Sequence, residues 1–402
     1  MDAPPPVEGQ AAGPPALGAH ERERALAWAR DELVRLVEIA SPSGDEAAIV
    51  EYLERRAAEL SLPVRRDPVA DGRDNLIVGW PREPQVAVIA HVDTVKPTWE
   101  WDGEASVRGD EVWGLGAVDD KGSVVAALLG LRLASESGVP VADLPLSVGL
   151  TIDEEEGGTG SIALAKSLRA RHAVVLESTG FDIAVAEAGV VEVVLAVHGR
   201  SAHGSVPEQG DNAVVKAAHM VVALEELAFV RRVHPLVAPA VTVQQMHGGS
   251  ELHVVPDLTE VHLDVRLGPN LRAQEVFDEL AELAGRFGAD VRTIELADAW
   301  ETPGDAPFVD TLRRAVAETL GHTPELFGFP AWTDAHNMVE LGGSQATVFG
   351  PGPRLSTAHR PDDHIDLSEV VDCALVLRRL AWDLWRAGDA WPARGARTAA
   401  SR

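Results

Sequence analysis

Residues 86–90 are a short, unbroken apolar run, and 146–152 a second apolar run interrupted only by the small residues Ser147, Gly149 and Thr151. Runs of this kind are strands covered on both faces, which is the pattern of a parallel sheet lying between helices. Apolar residues at helical spacing follow them at 121–133 and 161–169. The same spacing precedes them at 20–39 and 46–60, on either side of the break Ser41-Pro42-Ser43-Gly44. This alternation predicts an α/β fold with a mostly parallel sheet flanked by helices.

From 183 to 297 the rhythm changes. Strand patterns at 190–197, 240–246, 258–267 and 290–296 alternate with helical patterns at 212–229 and 273–287. The order βαββαβ predicts an inserted ferredoxin-like α+β domain, two helices on an antiparallel sheet. Helical patterns at 307–320 and 367–386, with an apolar strand at 346–349, return the chain to the first domain. The expected organisation is a discontinuous domain of residues 20–182 plus 298–387 and an inserted domain of 183–297. A leader at 1–19, rich in Pro, Ala and Gly, and a tail at 388–402 are expected to be disordered.

Composition narrows the function. Among 402 residues, 63 are acidic and 35 basic, so the net charge of −28 repels phosphate backbones and anionic lipid; no nucleic acid and no membrane is expected as a partner. The single cysteine, Cys373, permits no internal disulfide and fits a reducing compartment, so any metal must be held by His, Asp and Glu. The N-terminus has Asp2 where a secretory signal needs bases, and no apolar run approaches the roughly 18 residues of a membrane span. A cytoplasmic protein is expected.

Ligands of open α/β sheets bind beyond the carboxyl ends of the strands. Here one buried run leads into His91-Val92-Asp93, the second into Asp153-Glu154-Glu155-Glu156, and a third, 173–176, into Glu177. Between the first two stands Gly114-Leu115-Gly116-Ala117-Val118-Asp119-Asp120-Lys121-Gly122. Asp119 occupies the place of the third glycine of a dinucleotide fingerprint, and no phosphate-cradling P-loop occurs. There is no G-x-S-x-G elbow, and His20-Glu21 is followed by Arg24 where a zinc helix would need His.

As a set, Ala90-His91-Val92-Asp93-Thr94-Val95, Gly114 to Gly122, Asp153 to Ser161, Glu177, Ser201-Ala202-His203 and Ala358-His359 resemble the acetylornithine deacetylase, succinyl-diaminopimelate desuccinylase and glutamate carboxypeptidase family. The resemblance runs in the family's order from about His20 to Trp385. It implies a metallohydrolase with two Zn2+ ions per subunit, replaceable by Co2+, and makes the inserted domain a lid and dimerisation domain. His91, Asp119 and Glu177 would hold one ion; Asp119, Glu155 and His359 would hold the other. Neutral imidazoles and carboxylates suit zinc, and a shared carboxylate offsets the repulsion of two close cations. Glu154 would be the general base acting on a metal-activated water, with Glu156 a lesser rival. Asp93 would orient the His91 imidazole. His203 would reach the oxyanion in the partner subunit of a homodimer. Arg266 would receive the substrate carboxylate, and His253 stands where the family often has Asn. Trp332, before Thr333-Asp334, is a second departure from the family pattern.

The resemblance therefore implies cleavage of an amide bond in an N-acyl amino acid or small peptide. Glu at position 177 favours a deacylase or carboxypeptidase; a dipeptidase or aminopeptidase of the same family is the alternative. A catalytically silent metal-binding protein is a remote third reading, disfavoured because binding alone needs no base at Glu154. His364 and His336 are expected to be surface or packing residues, and Asp362 and Asp363 to support their loop.

Overall fold

The two apolar runs form the strands Val86–His91 and Leu146–Thr151, and every residue of both is buried. The structure, a computed structural model, describes residues 13–70, 72–79, 84–249, 251–354 and 357–388. Most of the expected leader and nearly all of the expected tail lie outside the described residues. Two units are distinguished by their internal contacts. One comprises the chain up to Ile183, Pro303–Leu326 and the chain from Asn337 onward; the other comprises Ala184–Thr302 and Phe327–His336.

In the first unit six strands lie in the order Val64–Ala70, Arg73–Val78, Leu146–Thr151, Val86–His91, His172–Val175, Gln345–Val348. The last four run parallel, and the first two form an antiparallel pair at one side. That antiparallel pair is absent from the sequence pattern, because Val64–Ala70 carries Arg65, Arg66, Asp67 and Pro68 and has no apolar alternation. Helix Gly122–Glu136 is buried along nearly its whole length and packs against helix Leu367–Ala387. Each fully buried Val or Leu there contributes about 1.5–3 kcal/mol. Gly130 permits the close approach, since a Cβ at that position would lie 2.9 Å from Leu377 Cβ and 3.2 Å from the Ala374 carbonyl oxygen.

The second unit holds an antiparallel sheet in the order Ala240–Gly248, Leu258–Leu267, Gly189–His198, Ala289–Ala297. With helices Ala213–Ala223 and Ala273–Arg286 it has the ferredoxin-like topology that the element order predicts. Val191, Val193, Leu195 and Val197 face its core with Val261, Leu263 and Val265 of the neighbouring strand and Met220 and Leu280 of the helices. The helix expected over 212–229 ends earlier, at Ala223. Leu224, Leu227 and Phe229 all enter the core, and their spacing of three and then two residues cannot be met by one helical face; Leu224 and Phe229 stand in two short 3-10 turns, with Leu227 in the extended link between them. Among the described residues no helix is long and apolar enough to cross a membrane.

Candidate metal centre

Strand register assembles the site. His91 ends its strand directly beside Thr151, and Ile89 lies opposite Val175, so the residues following the three strands emerge at one edge. The loop after Thr151 is tightly built. Asp153, at φ 64°, accepts the N–H groups of Gly157 and Gly158 on its carbonyl at 3.1 and 2.6 Å. Its carboxylate accepts the Thr159 hydroxyl at 2.6 Å and an Arg73 N–H at 3.1 Å. A side chain at Gly160 would collide with the Ile152 carbonyl, 2.2 Å from an ideal Cβ, so only glycine lets the following helix start under this loop.

Two groups of side chains converge from these ends, His91–Asp119–Glu177 and Asp119–Glu155–His359, and within each group the potential ligand atoms lie within 4.8 Å of one another. Asp119 belongs to both. Its Oδ1 is 2.9 Å from His91 Nε2, and its Oδ2 is 3.2 Å from His359 Nε2. His91 Nε2 also lies 4.0 Å from Glu177 Oε1, and His359 Nε2 lies 2.8 Å from Glu155 Oε2. His91 Nδ1 is 3.1 Å from the Asp93 carbonyl oxygen. An Nδ1–H donated to that carbonyl leaves the Nε2 lone pair directed at Asp119 and Glu177, the tautomer that metal ligation requires.

The Asp93 carboxylate, by contrast, is 3.6 Å from the His91 ring nitrogen and is engaged elsewhere. It accepts the backbone N–H groups of Glu154 and Glu155 at 3.1 and 3.2 Å and the Ser43 hydroxyl at 2.7 Å. Buried and triply hydrogen-bonded, it fixes the backbone from which both glutamates project, and Ser43, read in the sequence only as part of a break, helps to hold it. Asp120 accepts the His91 backbone N–H at 3.2 Å. Lys121 is almost wholly buried and donates to the Ile39 carbonyl at 3.0 Å; burial pulls its pKa down to about 7. Neither Asp120 nor Lys121 carries a sequence signal apart from its neighbour Asp119.

The electrostatics of the site are those of crowded carboxylates. Burial, then repulsion from Asp119 and Asp120, raises the Glu177 carboxyl well above its ordinary value. Burial likewise raises Glu155, against the hydrogen bond from His359. Burial would raise Asp119 too, but hydrogen bonds from His359 and His91 hold it below the usual carboxylate range. Hydrogen bonds to Asp119 and Glu155 push His359 up to about 10. Burial opposes charge on His91, yet the hydrogen bond to Asp119 and the nearby Asp93 carboxylate outweigh it and raise that imidazole as well. Imidazolium protons thus offset the carboxylate charge where a divalent cation would do so more strongly, and a donor set of two imidazoles and three carboxylates fits zinc or cobalt.

The remaining expected residues lie in the second unit. The Ser205 backbone N–H donates to His203 Nδ1 at 3.2 Å, which makes that nitrogen an acceptor and leaves Nε2–H as an exposed donor. His253 adopts φ 67°, a left-handed conformation in which Asn and His are both enriched, and its carbonyl accepts the Gly204 N–H at 2.6 Å. Arg266 directs Nε and Nη2 at the two oxygens of Asp264, each at 2.9 Å, so a substrate carboxylate would compete with an intramolecular partner. Trp332 packs near His336, with ring centroids 6.3 Å apart. In the first unit, His364 stacks on Trp113 at 4.1 Å, a packing role.

The sequence pattern of peptidase family M20/M25/M40 matches residues 87–383. The chain belongs to this family. It is a metal-dependent amide hydrolase with a small-molecule or peptide substrate. An acetylornithine deacetylase of Myxococcus xanthus is 29% identical over 73% of this chain and 78% of its own length. A LysW-lysine/LysW-ornithine hydrolase of Saccharolobus islandicus is 24% identical over 87% and 94%. Among solved structures, aminopeptidase PepT of Bacillus cereus superposes with a TM-score of 0.76 at 21% identity, covering 89% of this chain and 99% of that one. The M20 metallo-carboxypeptidase Sso-CP2 of Sulfolobus solfataricus gives 0.73 at 16%, covering 88% and 98%. The chain therefore shares its mixed α/β fold with these solved structures.

Proposed function

We propose that this M20 hydrolase is an N-acyl amino acid deacylase or carboxypeptidase working with two divalent ions, zinc or cobalt, bridged by Asp119. The observation that carries the reading is the division of one carboxylate between two ligand groups, Oδ1 toward His91 and Oδ2 toward His359. His91, Asp119 and Glu177 would hold one ion and Asp119, Glu155 and His359 the other. When bound, such ions acidify a water and polarise the scissile carbonyl. Glu154 takes the proton of the attacking water and returns it to the leaving amine. Its backbone N–H donates to Asp93, and its charge acts on His91 and Glu177 of the first ligand group, which supports this role.

The curated relatives at 24–29% identity, an acetylornithine deacetylase and a LysW-lysine/LysW-ornithine hydrolase, support acylated amino acids as substrates. Arg266 is the proposed receptor for a substrate carboxylate, and His253 borders the loop that carries His203. Metal-loaded protein offered N-acetyl and N-succinyl amino acids alongside dipeptides should release primary amine from the acylated substrates. Turnover confined to dipeptides with a free α-amine would shift the assignment to a dipeptidase or aminopeptidase.

His203 is proposed to donate its Nε2–H to the oxyanion of the tetrahedral intermediate in the partner subunit of a homodimer. Mixing inactive Glu154→Gln and His203→Ala proteins under verified subunit exchange should restore about one working site per mixed dimer. No return of activity, or an active monomer, contradicts donation across the interface.

A further inference from the structure

Asp363 is 2% exposed and stands four residues beyond His359. Its carboxylate is committed to a different segment. Oδ2 accepts the Gly116 N–H at 2.7 Å, and Oδ1 accepts the Val118 N–H at 3.0 Å. Its carbonyl accepts the Gly114 N–H at 2.9 Å, and its own N–H donates to the Arg360 carbonyl at 3.2 Å, closing the turn that follows His359. The next residue, His364, begins a short strand paired with Trp113, which keeps the two segments in register. Asp363 therefore joins the segment that delivers Asp119 to the turn that delivers His359.

We propose that Asp363 is a positioning residue for the Asp119–Glu155–His359 metal site, fixing Asp119 and His359 relative to each other and so setting the affinity of the ion held there. The proposal rests on the two-ion reading given above. A carboxylate presents acceptors on both oxygens, whereas an amide in the same place presents one acceptor and one NH2 donor. With two backbone N–H groups to satisfy, an amide must turn its NH2 against one of them. The other ligand group shares Asp119 but depends less on this clamp, because its other two ligands, His91 and Glu177, leave strands whose parallel register is set by the sheet.

The experiment is calorimetric titration of zinc into metal-free wild-type, Asp363→Asn and Asp362→Asn proteins, with metal content measured after dialysis. Asp362 is the neighbouring acid, paired with Arg360 at 2.8 Å, and its variant should bind as wild type. Asp363→Asn should unfold cooperatively and bind one ion with the smaller loss of affinity, since that ion keeps His91 and Glu177 and shares only Asp119 with the clamped site. The second ion should bind about 10- to 100-fold more weakly, the range for lost support of a ligand. Excess zinc should then restore turnover with KM unchanged. Unchanged affinity for both ions, equal weakening of both, or the same loss in Asp362→Asn would overturn the proposal. Should Asp363→Asn fail to fold, Asp363→Glu, which keeps the charge but displaces the oxygens, is judged by the same criteria. A wild-type chain that binds one ion overturns the two-ion reading and this proposal with it; two ions in wild type with no change in the variant overturns the proposal alone.

Discussion

Glu154→Gln should keep both metal ions and lose about two to four orders of magnitude in turnover, the range for a lost general acid/base. Gln has the shape of Glu but cannot take a proton from water at neutral pH. The backbone N–H of residue 154 donates to Asp93, a contact that the substitution leaves intact. Glu155→Gln should behave oppositely. Its Oε atoms lie 3.0 and 2.8 Å from His359 Nε2, inside a ligand group, so metal content should fall first and activity with it. Metal analysis and single-turnover kinetics on both variants distinguish the roles, and exchanged phenotypes would reverse the assignment of base and ligand.

Removal of metal by a chelator should abolish activity, and zinc or cobalt should restore it. The same equilibrium should depend on pH with a definite sign. Hydrogen bonds to Asp119 and Glu155 push His359 up to about 10, which favours an imidazolium that must release its proton before it can ligate. His91 is raised in the same direction. Binding therefore expels protons, and metal affinity must weaken as pH falls below these values. Titrations in buffers of different ionisation enthalpy should report about one proton released for each histidine ligand. A pH-independent affinity would contradict a histidine-containing site.

Much of this site was legible because three buried strands end in chemistry. His91, Glu154, Glu155 and Glu177 follow apolar runs, and parallel register brings such ends together. Asp119 and His359 were legible only through family resemblance, since Asp119 stands in an irregular segment and His359 in a turn, neither at the end of an apolar run. The supporting contacts were not legible. Arg73 meets Asp153 across 80 positions, and Asp363 meets Val118 across 245, separations that leave no periodic trace. Asp93 was expected to orient the His91 imidazole, but its carboxylate serves the amides of Glu154 and Glu155, whereas the imidazole of His91 takes its carbonyl. Phe327–His336, within the stretch expected to belong wholly to the first domain, clusters with the second unit, where Thr333 donates its hydroxyl to buried Glu187.

Anomalous diffraction from crystals of the zinc-loaded chain, collected at the zinc edge, tests the bridged site most directly. Two peaks about 3.5–4 Å apart should flank the Asp119 carboxylate, one beside His91 and Glu177 and the other beside Glu155 and His359. A single peak in fully active protein, or a pair of peaks that do not share Asp119, would contradict it.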